Sequence, residues 1–524
     1  MTKYARCIIN KQTMPQKQTA KIGFDNQKYL SAQTKRIIER VERMQGKLYL
    51  EFGGKLCFDY HAARVLPGYD PNVKISLLKK LGDKIELVFC VSAKDVQEGK
   101  VRGDFGLTYD NVTLKTIDDL KDFGLVVSTV VINMFSGQKK ALVLKRCLEN
   151  LGIKVYTSPV ISGYPTDIDR VVSDEGFGQM PVVETAKPIV IMTGAGPGSG
   201  KMATCLAQVY HDFKNGRPSG FAKFETFPIW NLPLKHPVNV AYEAATADLG
   251  DFNMVDPFHL SACQITAINY NRDVENFGIM IKIIDKIAQP GSLLAGYRSP
   301  TDMGVNMAKE GIVDDGCVQR AARQEIIRRW FSYSRESVIG TGSRDAVLRT
   351  EKILKENGIE LSERKAVEPA REAAKSARER NDGHKGIFCG ASIELPDGEV
   401  VTGHNSALFH AESAVIVKAI KKLAGLPDEI HLLSPAILSS VGALKAGMGD
   451  NESPSLSVEE TLIALSISSV SNTVADAGLK MLRRLNGFEM HLTHLPAPGD
   501  EAGLRKLKIN YTSDCQLTLQ NYIG

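Results

Sequence analysis

The sequence predicts an α/β protein divided into several domains, and three observations carry that prediction. The chain is 524 residues long, several times the usual single-domain size, which implies about three domains of ~150 residues each. Its composition, 43% hydrophobic, 24% charged and 7% aromatic, is that of an ordinary globular protein and excludes disordered, collagen-like and disulfide-stapled classes. Through the first third, apolar strand-like runs alternate with helix-like segments, as parallel strands joined by crossover helices do. The net charge of +5 is spread without a basic block, so neither nucleic acid nor an anionic membrane is an expected partner. Small polar ligands are the expected class.

The first block reads as KLYLEF (47–52), ISLLKKLGD (75–83), KIELVFCVSA (84–93), LKTIDDLKDFG (114–124), LVVSTVVINMF (125–135), KKALVLKRCLENLG (139–152) and KVYTSP (154–159). This predicts a Rossmann-like domain over 21–183, preceded by an extension at 1–20. A charged, turn-rich loop, SGYPTDIDRVVSDEGFGQ (162–179), is expected to separate it from a second α/β domain over 184–316 that opens at PIVIMTG. Next come helical patterns at 317–333, 344–357 and 367–382. Their charge-laced faces read as a solvated connector over 317–383. The tail, 384–524, reads as a small α/β domain with a hairpin turning at Pro396-Asp397-Gly398, a strand EIHLLS (429–434) and a helix opened by the capping pair Ser457 and Glu460.

Nine cysteines are scattered without a CxxC pair, so no zinc or disulfide framework is expected and the thiols read as reduced, in a cytoplasmic setting. The basic start lacks the apolar stretch of a signal peptide, and no run of ~18 apolar residues occurs.

The sharpest chemical signal is IVIMTGAGPGSGKMATCLAQVYHDF (189–213): a buried-strand run, a glycine loop, then apolar residues at helical spacing. Gly194, Gly196, Gly198 and Gly200 let the backbone N–H groups around Ser199 converge, the helix start adds partial positive charge, and Lys201 adds a full one, which suits a phosphate. Ala195 to Lys201 fits a relaxed Walker A pattern, but Met202 stands where the magnesium-binding hydroxyl belongs, and Thr204 is rotated roughly 200° round the helix from it. A dinucleotide fingerprint fails on glycine register. The competing reading is a tight strand-to-helix turn without a ligand.

The stretch after this loop resembles the dethiobiotin-synthetase and CTP-synthase branch of P-loop enzymes, through Lys223 and Ala245-Thr246-Ala247-Asp248-Leu249-Gly250. That resemblance implies that Lys223 approaches phosphate and that Asp248 or Glu243 holds magnesium. Asn271, Arg272, Asp273, Arg298 and Asp302 form a further polar run that binds a substrate or caps turns, with neither favoured. Gly53-Gly54-Lys55 with His61 and Arg64 reads as an ordinary turn or as a second anion site.

In the tail, His410-Ala411-Glu412 at a helix start and Pro435 after a strand resemble the cytidine-deaminase superfamily, whose signature is H-x-E followed by P-C-x-x-C. The two cysteine positions are Ala436 and Ser439, so no zinc deaminase is expected. His410 and Glu412 then read as helix-start residues satisfying backbone donors or as an acid–base pair, and Cys389 reads as strand packing.

Over nearly its whole length, through KLYLEFGGKL, DYHAARVLPG, SGYPTDIDRVVSDEGFG, GPGSGK, KFETFPIWNLPL and SPTDMGVNMA, the chain resembles the bacterial family catalogued as domain of unknown function 1846. The resemblance implies a cytoplasmic, self-associating protein of several α/β domains. The residues favour an enzyme that binds ATP or another phosphorylated small molecule, with magnesium, at the loop ending in Lys201, for phosphoryl transfer or ligase-type activation. The alternative is a non-catalytic phosphate-ligand binder or scaffold.

Overall fold

The computed structural model describes residues 22–44, 46–102, 106–288, 292, 294–447 and 455–515. The expected extension at 1–20 lies outside them. The chain divides into two compact units, Gly23–Glu363 and one that begins at Arg364.

Seven strands form the centre of the first unit: β1 Lys47–Phe52, β2 Ile85–Ser92, β3 Val127–Asn133, β4 Lys154–Thr157, β5 Ile189–Gly194, β6 Ser219–Phe224 and β7 Gly304–Val305. All pairs are parallel, in the order β7-β6-β1-β5-β2-β3-β4. Leu48, Val88, Val131 and Ile191 are fully buried, as continuous apolar strands are when helices cover both faces of a parallel sheet.

The expected boundary between two α/β domains at 183/184 does not exist. β5, the first strand of the expected second domain, inserts between β1 and β2, with Ile189 opposite Leu48 on one side and Ile85 on the other. The physical reason is visible in IVIM. A strand apolar at every position can only be central, and the gap between β1 and β2 is the centre of this sheet.

The solvated connector expected over 317–383 is also corrected. The helix Asp315–Val338 turns Val318, Ala322, Ile326, Ile327 and Phe331 inward and packs against the helices Pro237–Ala245 and Arg344–Glu356, all within the first unit. The third expected helix, Val367–Glu379, belongs to the second unit, where Val367, Ala370 and Ala377 are buried. In Val367–Glu379 long charged side chains flank a stripe of few and small apolar residues, which is why that segment reads as solvated.

The second unit holds β8 Gly390–Glu394, β9 Val400–His404, β10 Glu489–Leu492 and β11 Asn510–Ser513, in the order β9-β8-β10-β11. β8 runs antiparallel to both neighbours and β10 parallel to β11. The hairpin turn is as expected, Gly398 taking φ +87° and its amide reaching Leu395 O at 2.9 Å. Ser457 and Glu460 form the expected capping box. The expected strand at 429–434 is absent: Asp428-Glu429 is a turn and only Leu432 and Leu433 are buried, while β10 takes the place beside β8. Arg364 explains why this unit starts before 383. Its guanidinium, 1% exposed, donates to Thr512 Oγ1 at 2.9 Å, Met490 O at 2.9 Å and Asn510 O at 2.8 Å, and meets Glu489. Among the described residues no helix is long and apolar enough to cross a membrane.

Candidate functional site

The glycine loop Ala195–Gly200 joins β5 to the helix Lys201–Lys214 at the carboxyl edge of the parallel sheet. From β5 the chain crosses β1 to reach β6, whereas from β2 it moves the other way to β3. The neighbours β5 and β2 thus form a topological switch point, the position at which open α/β sheets leave a ligand crevice.

Two glycines set the loop's path. Gly198 has φ +73° and Gly200, the helix N-cap, φ +85°, backbone that favours residues without a Cβ. At Gly200 a Cβ would also meet Asn133 Nδ2 at 2.6 Å. Asn133, at the end of β3, donates to Ser199 O at 2.9 Å, and Thr204 Oγ1 bonds Gly200 O at 2.9 Å. Arg102 Nη1 donates to Ala195 O at 2.8 Å. The carbonyls of Ala195, Ser199 and Gly200 are therefore engaged by the protein. The amides are different. Ala195 N donates to Cys90 O at 3.1 Å and Thr204 N to Gly200 O at 2.9 Å, but among the described residues no acceptor takes the N–H of Gly196, Gly198, Ser199, Gly200, Lys201, Met202 or Ala203. Lys201 Nζ lies over this run, 3.4 Å from Gly196 O and 3.5 Å from Ser199 Oγ, both long contacts. Orphan donors at a helix start, backed by a lysine, form an anion receptor.

Beyond β5, the same sheet edge carries a second polar group. Glu51 on β1 stands opposite Lys223 on β6. Lys223 Nζ meets both carboxylate oxygens of Asp273 at 2.8 Å and Glu225 Oε1 at 3.0 Å. Burial works against its charge, but Asp273, Glu225 and Glu51 override that and hold it well above the ordinary lysine range. Burial pushes the Glu225 carboxyl up to about 7, with Lys223 opposing and Asp273 and Glu51 adding to the rise. Glu51 Oε2 is buried with no hydrogen-bond partner. Three carboxylates thus surround one ammonium, and Lys223, expected to approach phosphate, is committed to them.

Glu243 and Asp248, expected to hold magnesium, point to other partners. Glu243 accepts from Asn253 N at 3.3 Å and Nδ2 at 3.1 Å, and burial raises its pKa. Asp248 is exposed and accepts from Tyr333 Oη at 3.1 Å. At the Gly53-Gly54-Lys55 loop the protein supplies its own anion. Glu325, 0% exposed, takes His61 Nδ1 at 2.9 Å, Arg64 Nε at 2.9 Å and Arg329 Nε at 3.1 Å. Burial and the nearby Arg329 and Arg64 keep His61 well below its ordinary pKa.

In the second unit neither His410 nor Glu412 caps its helix, correcting the default expectation. His410 is the N-cap residue of Ala411–Leu423 without a side-chain cap bond. Its Nδ1 meets Asp500 Oδ2 at 2.6 Å, and Glu412 Oε1 lies 3.1 Å from His494 Nε2. Burial opposes charge on His494, but Glu412 and Cys389 raise it well above the ordinary histidine value. Glu412, buried yet facing His494 and His410, is held below the ordinary carboxylate value.

The sequence singled out the loop and Lys201 but missed Glu51 and Asn133 at the same sheet edge. The signal was present in their positions, each at or just past the end of an apolar run. Their side-by-side placement depended on a strand order that periodicity does not give.

Comparison with known proteins places these features within one lineage. Residues 22–358 match the family model described as "Domain of unknown function DUF1846, N-terminal", and residues 362–522 match its C-terminal companion. The chain is 49% identical over 494 residues to a UPF0371 protein of Clostridium tetani (strain Massachusetts / E88), covering 94% of this chain and 97% of the relative. It is 49% identical over 495 residues to a UPF0371 protein of Clostridium botulinum (strain Langeland / NCTC 10281 / Type F), with the same coverage.

Proposed function

The chain belongs to the DUF1846 family, and from the loop at its sheet edge we propose that the protein is an enzyme that binds a nucleotide or other phosphorylated small molecule there. One observation carries the reading: the N–H groups of Gly196, Gly198, Ser199, Gly200 and the first helical turn have no acceptor among the described residues, while the carbonyls of Ala195, Ser199 and Gly200 are engaged. Those donors and Lys201 hold a phosphate and stabilise charge that develops on it during phosphoryl transfer or ligase-type activation. Glu225, with a carboxyl that titrates near neutrality, is the acid–base group at the same edge. Lys223 holds that carboxyl in place.

Glu243 and Asp248 do not fit the magnesium role, being bonded to Asn253 and Tyr333. Thr204 does not fit either, since its hydroxyl serves Gly200 O and Asn133. The carboxylate that fits is Glu51, whose buried Oε2 lacks a partner. A magnesium ion held there would neutralise phosphate charge, and no other part of the reading depends on it.

The test is a thermal-shift panel of inorganic phosphate, nucleotides and phosphorylated metabolites, with and without magnesium, on wild type and Lys201→Ala. A ligand at 100 times its dissociation constant adds about 2.7 kcal/mol, and loss of the lysine is expected to weaken it about tenfold or more. An equal response of both proteins to every ligand overturns the site. Tight binding by wild type without turnover of any nucleotide favours a ligand-binding scaffold over an enzyme.

A further inference from the structure

The helix Pro257–Cys263 places His259 and Cys263 four residues apart, hence on one face. The short helix Pro300–Met303 brings Asp302 against that face. One ligand atom from each of His259, Cys263 and Asp302 lies within 4.8 Å of the other two, and His259 Nδ1 is 3.5 Å from Asp302 Oδ1. We propose that these three side chains bind a zinc-class divalent metal ion, at a site separate from the phosphate loop and independent of the reading given to it.

The donor set selects the metal. Thiolate sulfur, imidazole nitrogen and carboxylate oxygen together suit zinc and its neighbours, whereas magnesium and calcium take oxygen ligands. A deprotonated Cys263 and an ionised Asp302 carry two negative charges, matching a divalent ion. Zinc bonds of ~2.0–2.3 Å place tetrahedral ligand atoms about 3.3–3.8 Å apart, a spacing compatible with a cluster whose atoms lie within 4.8 Å of one another. Three protein ligands leave a fourth position open, and His259 and Asp302 are 13% and 25% exposed, so water or a ligand reaches it.

Buried hydrogen-bond partners fix the positions of His259 and Asp302. Asp256, fully buried, accepts from His259 N at 3.0 Å through Oδ1 and from Thr301 Oγ1 at 2.7 Å through Oδ2, tying the two helices together. Ser299, also fully buried, has its Oγ 2.9 Å from His259 Nδ1 and accepts from Asp302 N at 3.0 Å. Arg298 bonds the cluster directly, and Arg36, Arg40 and Arg43 line the same pocket as Asp302. The Arg298 backbone N–H donates to Asp302 Oδ2 at 3.2 Å, its Nη1 to Ala262 O at 3.3 Å and its Nη2 to Cys263 Sγ at 3.5 Å. The sequence reading flagged Arg298 and Asp302 but expected no zinc, because it looked for paired cysteines and not for a helical i, i+4 pair completed by a distant carboxylate.

The test uses the full chain, stripped with a chelator and titrated with Zn²⁺ and with Co²⁺, beside Cys263→Ser, His259→Ala and Ser299→Ala. Wild type is expected to take up a single tight equivalent and to show a near-ultraviolet thiolate-to-cobalt charge-transfer band. Cys263→Ser and His259→Ala are expected to lose both, and Ser299→Ala to bind 10–100-fold more weakly. Far-ultraviolet circular dichroism of the metal-free proteins separates loss of ligation from loss of fold. Alkylation of Cys263, followed by mass spectrometry, is expected to slow when zinc is added. Retention of the band in Cys263→Ser overturns the proposal. So does rapid alkylation of Cys263 that zinc leaves unchanged, which would assign the cluster to a reactive thiolate held by Arg298.

Discussion

Replacing Glu225 with Gln tests the electrostatics of the sheet edge directly. The carboxyl titrates at about 7 in the folded protein against an ordinary 4.5, chiefly because it is buried. Below pH 4.5 it is protonated in folded and unfolded chains alike. As pH rises to 7 the unfolded chain releases the proton first, so the stability that the protonated group supplies is progressively lost, and above 7 the loss is complete. At ~1.36 kcal/mol per pH unit the interval is worth about 3 kcal/mol. Glutamine has no such proton to lose. Urea unfolding of both proteins between pH 4.5 and 8 is therefore expected to show the variant gaining about 3 kcal/mol on wild type, with Lys223 still paired to Asp273. A gap between the two proteins that stays constant across this range would refute the placement of a buried, proton-holding carboxyl beside Lys223.

Two further outcomes follow from named geometry. Gly198→Ala is expected to cost about 1 kcal/mol, since φ is +73° but nothing lies within 4 Å of the new methyl. Gly200→Ala is expected to cost about 3 kcal/mol, because it also strikes Asn133 and breaks the bond to Ser199 O; equal losses in thermal denaturation would contradict the loop path. Asp514 shows the opposite pH sign. Burial is outweighed by His491 and Arg371, which hold the carboxyl at about 2 against 3.8. Its contribution is thus present above 3.8 and lost as pH falls through about 2. Asp514→Asn is expected to cost about 2 kcal/mol at pH 7 and nothing at pH 2, measured by denaturant unfolding; a cost independent of pH would exclude the pairing with Arg371.

Local pattern was enough to locate most strands and helices of the sheet. KLYLEF, KIELVFCVSA and PIVIMTG became β1, β2 and β5 because their apolar runs end in turn formers. Strand order was not legible, since nothing local to IVIM says which two strands flank it. The helix Val367–Glu379 buries alanines rather than large side chains, so its stripe escaped a reading based on hydrophobic bulk. At the site, Lys201 and its glycines could be read from one contiguous motif. Glu51 and Asn133 could not, because two different strands deliver them to the sheet edge. Lys223 was assigned to phosphate through the resemblance to P-loop enzymes, and the structure spends its charge on Asp273 and Glu225.

The insertion of β5 between β1 and β2 bears on how the chain is made. While the ribosome has released only the first 180 residues, β1 and β2 have no partner between them, and two long rows of backbone donors and acceptors face water. The nascent chain has to keep these rows apart from each other and from neighbouring chains until residues 189–194 emerge. Sheet assembly is therefore a late event in synthesis, governed by contacts distant in sequence. A fragment ending at 183, which the sequence alone would suggest as a domain, is expected to aggregate rather than fold, whereas one ending at 363 carries all seven strands.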